Sequence, residues 1–158
     1  MRLPSGVTAV NPSAHRLGAV ALSGIAAARF RAAPVAMLGT VRPDDAPHVV
    51  PVVFAVESGD QVVYTAVDDK PKSGRPLQRL ANLEHNPAAS LLVQHYDDDW
   101  AQLWWVRADG VAQIHHHGPA CEAGLGALRA KYPQYRSVGL AAPVIAVRIV
   151  RWAQWQGG

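Results

Sequence analysis

Val62-Val63-Tyr64-Thr65-Ala66-Val67-Asp68-Asp69-Lys70-Pro71-Lys72-Ser73-Gly74-Arg75-Pro76-Leu77-Gln78-Arg79-Leu80-Ala81-Asn82-Leu83-Glu84-His85-Asn86-Pro87 reads as strand, basic loop, helix and stop. The β-branched run at its start has strand character. Ser73 can cap a helix, Pro76 is tolerable only in a first turn, and Asn86-Pro87 ends the element. A helix is therefore expected over about Ser73 to His85. Lys70, Lys72, Arg75 and Arg79 gather where the loop meets the helix N-terminus. That terminus already favours anions through its free N–H groups and its dipole. Basic side chains there oppose the dipole, so their crowding makes sense if an anion such as phosphate sits among them. A solvated basic loop is the alternative. Leu77, Leu80, Ala81 and Glu84 share one side of this helix; Arg75, Arg79 and Asn82 share another.

Upstream, Val35 to Arg42 looks like a strand ending in the turn chemistry of Pro43-Asp44-Asp45-Ala46-Pro47. His48 to Glu57 follows as a valine-rich strand, apolar on both faces for part of its length and so expected to be central. Pro51 is its exception, because proline lacks the N–H for a ladder bond and marks a bulge or an opening in the sheet. Ser58-Gly59-Asp60 is a hairpin turn into Gln61 to Val67. Before all of these, Leu17, Val20, Ala21, Gly24, Ile25 and Ala28 recur at helical spacing, giving an expected helix from Ser13 to Arg31 with Ser13 as N-cap. The same stretch has some signal-peptide character, but it is far shorter than the about 20 residues that span a bilayer. Residues 1–12 carry two prolines and no periodicity and read as a loose arm.

Downstream, Ala89 to Tyr96 is a strand and Asp97-Asp98-Asp99 a charged turn. Ala101 to His116 is a long strand, with a bend expected at Asp109-Gly110. Pro119 to Tyr132 reads as a helix and Pro143 to Trp155 as a final strand. Strands and helices do not alternate throughout, so a mostly antiparallel barrel fits better than a doubly wound parallel sheet. The expected fold is mainly β: an antiparallel barrel with flanking helices, formed as one domain over residues 13–158. At 158 residues the chain is long enough for a core without staples. Its single cysteine, Cys121, excludes an internal disulfide and fits a reducing compartment, so a cytoplasmic protein is expected. A net charge of only +3, with the cations at one loop, argues against a wide nucleic-acid surface.

Several motifs invite chemistry. His115-His116-His117 suggests a metal, but adjacent strand residues alternate faces and no carboxylate or thiolate has matching spacing, so no metal site is expected. Trp104 and Trp105 must point to opposite faces; one can be core, the other is open to solvent, a subunit or a flat ligand. There is no Gly-x-Ser-x-Gly elbow, no Gly-x-Gly-x-x-Gly and no Walker motif, and Cys121 has no obvious base. An enzyme of this kind would rely on a bound cofactor.

Leu38-Gly39-Thr40-Val41-Arg42-Pro43-Asp44, Ala46-Pro47-His48-Val49-Val50-Pro51-Val52, the Lys70-Pro71-Lys72 loop, Leu80-Ala81-Asn82-Leu83 to Asn86-Pro87, and Ser90-Leu91-Leu92-Val93 resemble, in order and spacing, the pyridoxamine 5'-phosphate oxidase-like split β-barrel superfamily. Tyr96-Asp97-Asp98-Asp99-Trp100, Leu103 to Gly110, and Lys131-Tyr132-Pro133-Gln134-Tyr135 resemble its actinobacterial deazaflavin-dependent branch. The resemblance implies an FMN-binding-type split barrel, a homodimer with cofactor at the subunit interface, and coenzyme F420 transferring a hydride to a small conjugated organic substrate, with no membrane partner. It implies cofactor contacts from Val50, Pro51, Val52, Tyr64, Thr65 and Trp105, and a phosphate clamp from Arg79 with Lys70, Lys72 and Arg75. The oxidases of this superfamily carry an arginine and a lysine on the second strand for the FMN phosphate; the matching positions here are Val50 and Ala55. FMN and a non-catalytic F420-binding role are the rival readings. No general acid stands out; Tyr64 and His48 are candidates, and either could as well be packed or solvated.

Overall fold

The computed structural model describes residues 22–67 and 77–158. In chain order it runs α1 (Gly24–Ala32), β1 (Ala36–Val41), β2 (Pro47–Val52), β3 (Ala55–Val56), β4 (Val62–Ala66), α2 (Gln78–His85), β5 (Ala88–His95), β6 (Trp104–His115), α3 (Pro119–Lys131) and β7 (Val144–Gln156). The seven strands form one antiparallel sheet in the order β2-β1-β5-β6-β7-β4-β3. The mainly β fold with flanking helices is thus as expected. No helix among the described residues is long and apolar enough to cross a membrane.

The valine-rich second strand corrects two expectations. It is not one strand but two, β2 and β3, broken at Val53-Phe54. Neither piece is central: β2 is one edge of the sheet and β3 is the other. Only three peptide steps, spanning at most about 11 Å, separate Val52 from Ala55. The two edges must therefore lie close together, and the sheet curls into a barrel that is split where the chain crosses. Edge position also explains Pro51, whose missing N–H costs nothing on a side with no partner strand. On β2, Pro47, Val49 and Pro51 are exposed while His48, Val50 and Val52 turn inward.

Inside the barrel, Leu38, Phe54, Val63, Leu91, Val93, Val106, Ile145 and Val147 are buried together. Phe30 of α1 closes one end, its ring 5.1 Å from Phe54 and edge-on to Trp152 at 5.0 Å. The first helix departs from expectation. It starts at Gly24, with Ser23 accepting a hydrogen bond from the Ala26 N–H as the cap, and it buries Ala26 and Phe30 rather than the Gly24, Ile25, Ala28 face. Residues 1–21, including the expected arm and Ser13 cap, lie outside the described residues. Arg31 fastens the helix to the β3–β4 turn through the carbonyls of Glu57 and Ser58 and the carboxylate of Asp60.

A second apolar cluster lies under α3: Ala55, Tyr64, Ala66, Cys121, Leu125, Leu128 and Val144. Gly118, at φ 88°, turns the chain out of β6 so that Pro119 can open the helix. The expected bend in the long strand is a β-bulge between Asp109 and Gly110 in the β6–β7 ladder.

Candidate cofactor site

The split in the barrel holds a cleft of about 200 Å³ lined by Val35, Pro51, Val52, Val53, Ala66 and Arg79. Each wall has a sequence cause. Pro51 to Val53 is the end of an edge strand and the start of the crossover. Val35 enters β1, and Ala66 ends β4. Arg79 stands in the first turn of α2. That helix starts at Gln78 with Leu77 as an N-cap that offers no side-chain bond, so it is shorter than expected. Lys70, Lys72, Ser73 and Arg75 lie outside the described residues, as does most of the loop that carries them.

The orientation of α2 was not foreseen. Its buried residues are Asn82 and Leu83, while Leu80 and Ala81 are half-buried and Glu84 is exposed. Asn82, fully buried, donates to Thr40 Oγ1 at 2.9 Å and accepts from Gln78 Nε2 at 2.7 Å. A buried amide needs such partners, and here they lock the helix onto β1. The face shared by Arg79 and Asn82 is therefore turned toward the barrel, which brings Arg79 to the cleft.

Of the described candidate residues, the structure brings Pro51, Val52 and Arg79 together. Val50 is half-buried and packs on the barrel core. Tyr64 is buried beneath α3, its ring against Gly124. Burial, and secondarily the Glu57 carboxylate, push its phenol pKa up, so it stays protonated. Thr65, on the other side of β4, is fully buried and its Oγ1 finds no hydrogen-bond partner among the described residues. Trp105 lies on the outer sheet face, opposite Trp155, in a separate hollow beside α1 that also includes Trp104, Arg29 and Gln156. The Arg107 guanidinium is 5.9 Å from the Trp105 ring. His48, the other candidate acid, is half-buried and borders a groove with Gly39, Val49 and Val150 rather than the cleft.

That outer face has its own electrostatic centre. Asp109 takes a hydrogen bond from Ser90 Oγ at 2.7 Å, two from Arg107 at 2.8 and 3.1 Å, and two from Arg151 at 3.1 and 2.8 Å. Burial alone would raise its pKa. The bonds from Ser90, Arg107 and Arg151 outweigh that and hold the carboxyl below the ordinary aspartate range. A lowered folded-state pKa gives stability that is complete above the unfolded value of about 3.9 and is lost as pH falls below it. Asp109→Asn is therefore expected to flatten the acid side of a Tm-against-pH profile. An unchanged slope between about pH 5 and pH 2.5 would show that the cluster adds nothing.

With this geometry the chain defines a split-barrel protein with a cleft that sets the Arg79 guanidinium beside apolar residues. The family model of pyridoxamine 5'-phosphate oxidase matches residues 25–156. The chain belongs to the pyridoxamine 5'-phosphate oxidase family, a flavin-binding family of oxidoreductase type. Among solved structures it resembles the conserved hypothetical protein Rv2991 from Mycobacterium tuberculosis, with 20% identity, 90% of this chain and 89% of that one covered, and a TM-score of 0.68. A heme binding protein from Mycobacterium smegmatis gives 22% identity, 87% and 56% coverage, and 0.65. An FAD-binding protein from Mesorhizobium loti gives 15%, 81% and 87%, and 0.59. At these identities the likeness is one of fold. No curated protein sequence matches the chain.

Proposed function

We propose that this protein is an F420-dependent oxidoreductase that works as a homodimer, with the cleft at Pro51–Val53 and Arg79 as one wall of each cofactor site. The observation that carries the reading is the cleft's composition. Among the described residues it combines a guanidinium, suited to a phosphate, with an apolar wall suited to a flat ring system. The two positions that are cationic in FMN-binding oxidases are apolar here, and Ala55 is only 3% exposed, turned into the cluster under α3. FMN would therefore lack its usual clamp.

The cleft is smaller than the roughly 300 Å³ at which pockets begin to bury a drug-sized ligand, so another wall is required. The outer face can bring one. Met37, Val49, Val111 and Val150 are all exposed there, 36 to 61%, and Pro51 joins that face to the cleft. Exposed apolar side chains gathered on one sheet face suit an interface. A second copy of the chain covers it and completes the site.

The bound deazaflavin supplies hydride chemistry. The chain's own contribution is to hold the anionic tail at Arg79, to orient the ring along Pro51 to Val53, and to exclude water with the valines of both walls. Among the described residues, those lining the cleft include no imidazole, thiol, thioether or phenol that could ligate a heme iron.

Fluorescence titration with F420 and FMN separately tests the reading. F420 is expected to bind at micromolar Kd or tighter, FMN much more weakly, and Arg79→Ala to weaken F420 at least tenfold, about 1.4 kcal/mol. Preference for FMN would move the protein to the flavin branch. Binding of F420 without hydride transfer to any conjugated acceptor would leave a cofactor-binding protein, and binding of neither would sink the proposal. Sedimentation equilibrium should show a dimer; a monomer at tens of micromolar would remove the shared site.

A further inference from the structure

The end of α3 reaches across the molecule to the back of the cleft. The Tyr132 hydroxyl accepts a hydrogen bond from the Phe54 N–H at 3.0 Å. It also lies 2.9 Å from the carbonyl oxygens of both Pro34 and Phe54, which share its single proton. Phe54 follows Val53, and Pro34 precedes Val35; Val53 and Val35 both line the cleft. Beside it, Lys131 donates to the Ala33 carbonyl at 2.8 Å, with its ammonium 3.8 Å from the centre of the Phe54 ring. Phe54 is fully buried.

These contacts meet a specific need. The crossover between β2 and β3 has left one edge of the sheet and not yet joined the other, so Val53 and Phe54 lie in no strand. Buried backbone groups without a partner are costly. One phenol serves both the N–H and the carbonyl of Phe54 and ties them to the chain entering β1. The two strand ends that form the cleft's apolar wall are thereby held at one spacing.

The geometry points to Tyr132 as a positioning residue for the cofactor site, acting through Phe54 and Pro34 on Val53 and Val35, with Lys131 in support. The inference rests on the cofactor reading above. Its consequence is that removing one oxygen atom, distant in sequence and outside the cleft, weakens cofactor binding more than its effect on stability would suggest.

The test compares wild type, Tyr132→Phe and Val93→Ala, a core truncation in β5 away from the cleft, by F420 titration, thermal unfolding and amide exchange at Phe54. Tyr132→Phe is expected to raise the F420 Kd at least tenfold and to speed exchange of the Phe54 N–H. Val93→Ala should lower Tm by at least as much and leave Kd within twofold. Wild-type binding matched within threefold by Tyr132→Phe overturns this inference alone. A wild-type protein that binds neither F420 nor FMN overturns the cofactor reading, and this inference with it. If Tyr132→Phe does not fold, Lys131→Met, which keeps the stem over Phe54 and loses the bond to Ala33, carries the same comparison.

Discussion

Gly110→Ala is expected to lower Tm by roughly 6–12 °C, the shift that about 3 kcal/mol produces in a domain of this size. Gly110 is buried at the β-bulge where β6 and β7 change register. A Cβ added there would run into the backbone carbonyl oxygen of Arg148 and come within 2.8 Å of a Val147 methyl. A flexible side chain could swing away, but a ladder carbonyl cannot move without its strand. Overpacking of this kind usually costs about 1–3 kcal/mol, and backbone on one side places it at the upper end. The β6–β7 pairing is the longest in the sheet, with partners from Trp104↔Gln156 to His115↔Val144. A local shift at the bulge therefore strains the whole ribbon. Thermal unfolding by circular dichroism measures the effect; a Tm within about 2 °C of wild type would mean that the strands do not approach this closely.

Asn82→Leu should cost about 2 kcal/mol, or roughly 4–8 °C in Tm, and should weaken F420 binding as well. Leucine keeps the branched shape of asparagine, with bulkier methyl groups, but leaves Thr40 Oγ1, on a residue only 4% exposed, without its partner. A buried polar group left unpaired loses its full desolvation energy, whereas replacing both partners by apolar groups is close to neutral. The double variant Asn82→Leu/Thr40→Val should therefore recover most of the stability. Cofactor affinity reads a different property, because Arg79 is on the same helix one turn earlier. If the amide bond aims Arg79, affinity falls in the single variant. Full affinity in a destabilised Asn82→Leu would show that the helix is aimed by packing alone.

The order of elements could be read from local patterns. β-Branched and apolar runs marked the strands, Asn86-Pro87 the end of α2, and Asp109-Gly110 a bend, because each depends on a few neighbouring residues. Two of the residues that line the cleft, Pro51 and Arg79, were legible for the same kind of reason: a proline inside a strand and a cation in a first turn are locally anomalous. Their meeting at one cleft was not, since the two are brought together by a curl of the whole sheet.

The misreadings have one cause as well. The valine run of β2 and β3 looks central because its composition is apolar on both faces, yet β2 is an edge whose outward valine and prolines form an exposed patch. Apolarity records that a residue is to be covered, not by what. On α1, Ile25 and Ala28 fit a helical stripe, but the helix turns Phe30 into the barrel to meet Phe54 and Trp152. No marker singled out Tyr132, because its partner Phe54 is 78 residues away. Asn82, 42 residues from Thr40, was grouped only with Arg75 and Arg79 on one side of its helix.

Sequence alone thus determined the order and kind of most elements, the mainly antiparallel class, the bend at Asp109-Gly110 and the basic approach to α2. These follow from backbone preferences and side-chain periodicity, which act over a few residues. Tertiary structure decided which strands became edges, where the barrel split, which face of α2 was buried, and which phenol holds the crossover. Those outcomes arise from contacts between residues far apart in the chain, where burial and hydrogen-bond satisfaction are settled by the packed molecule as a whole.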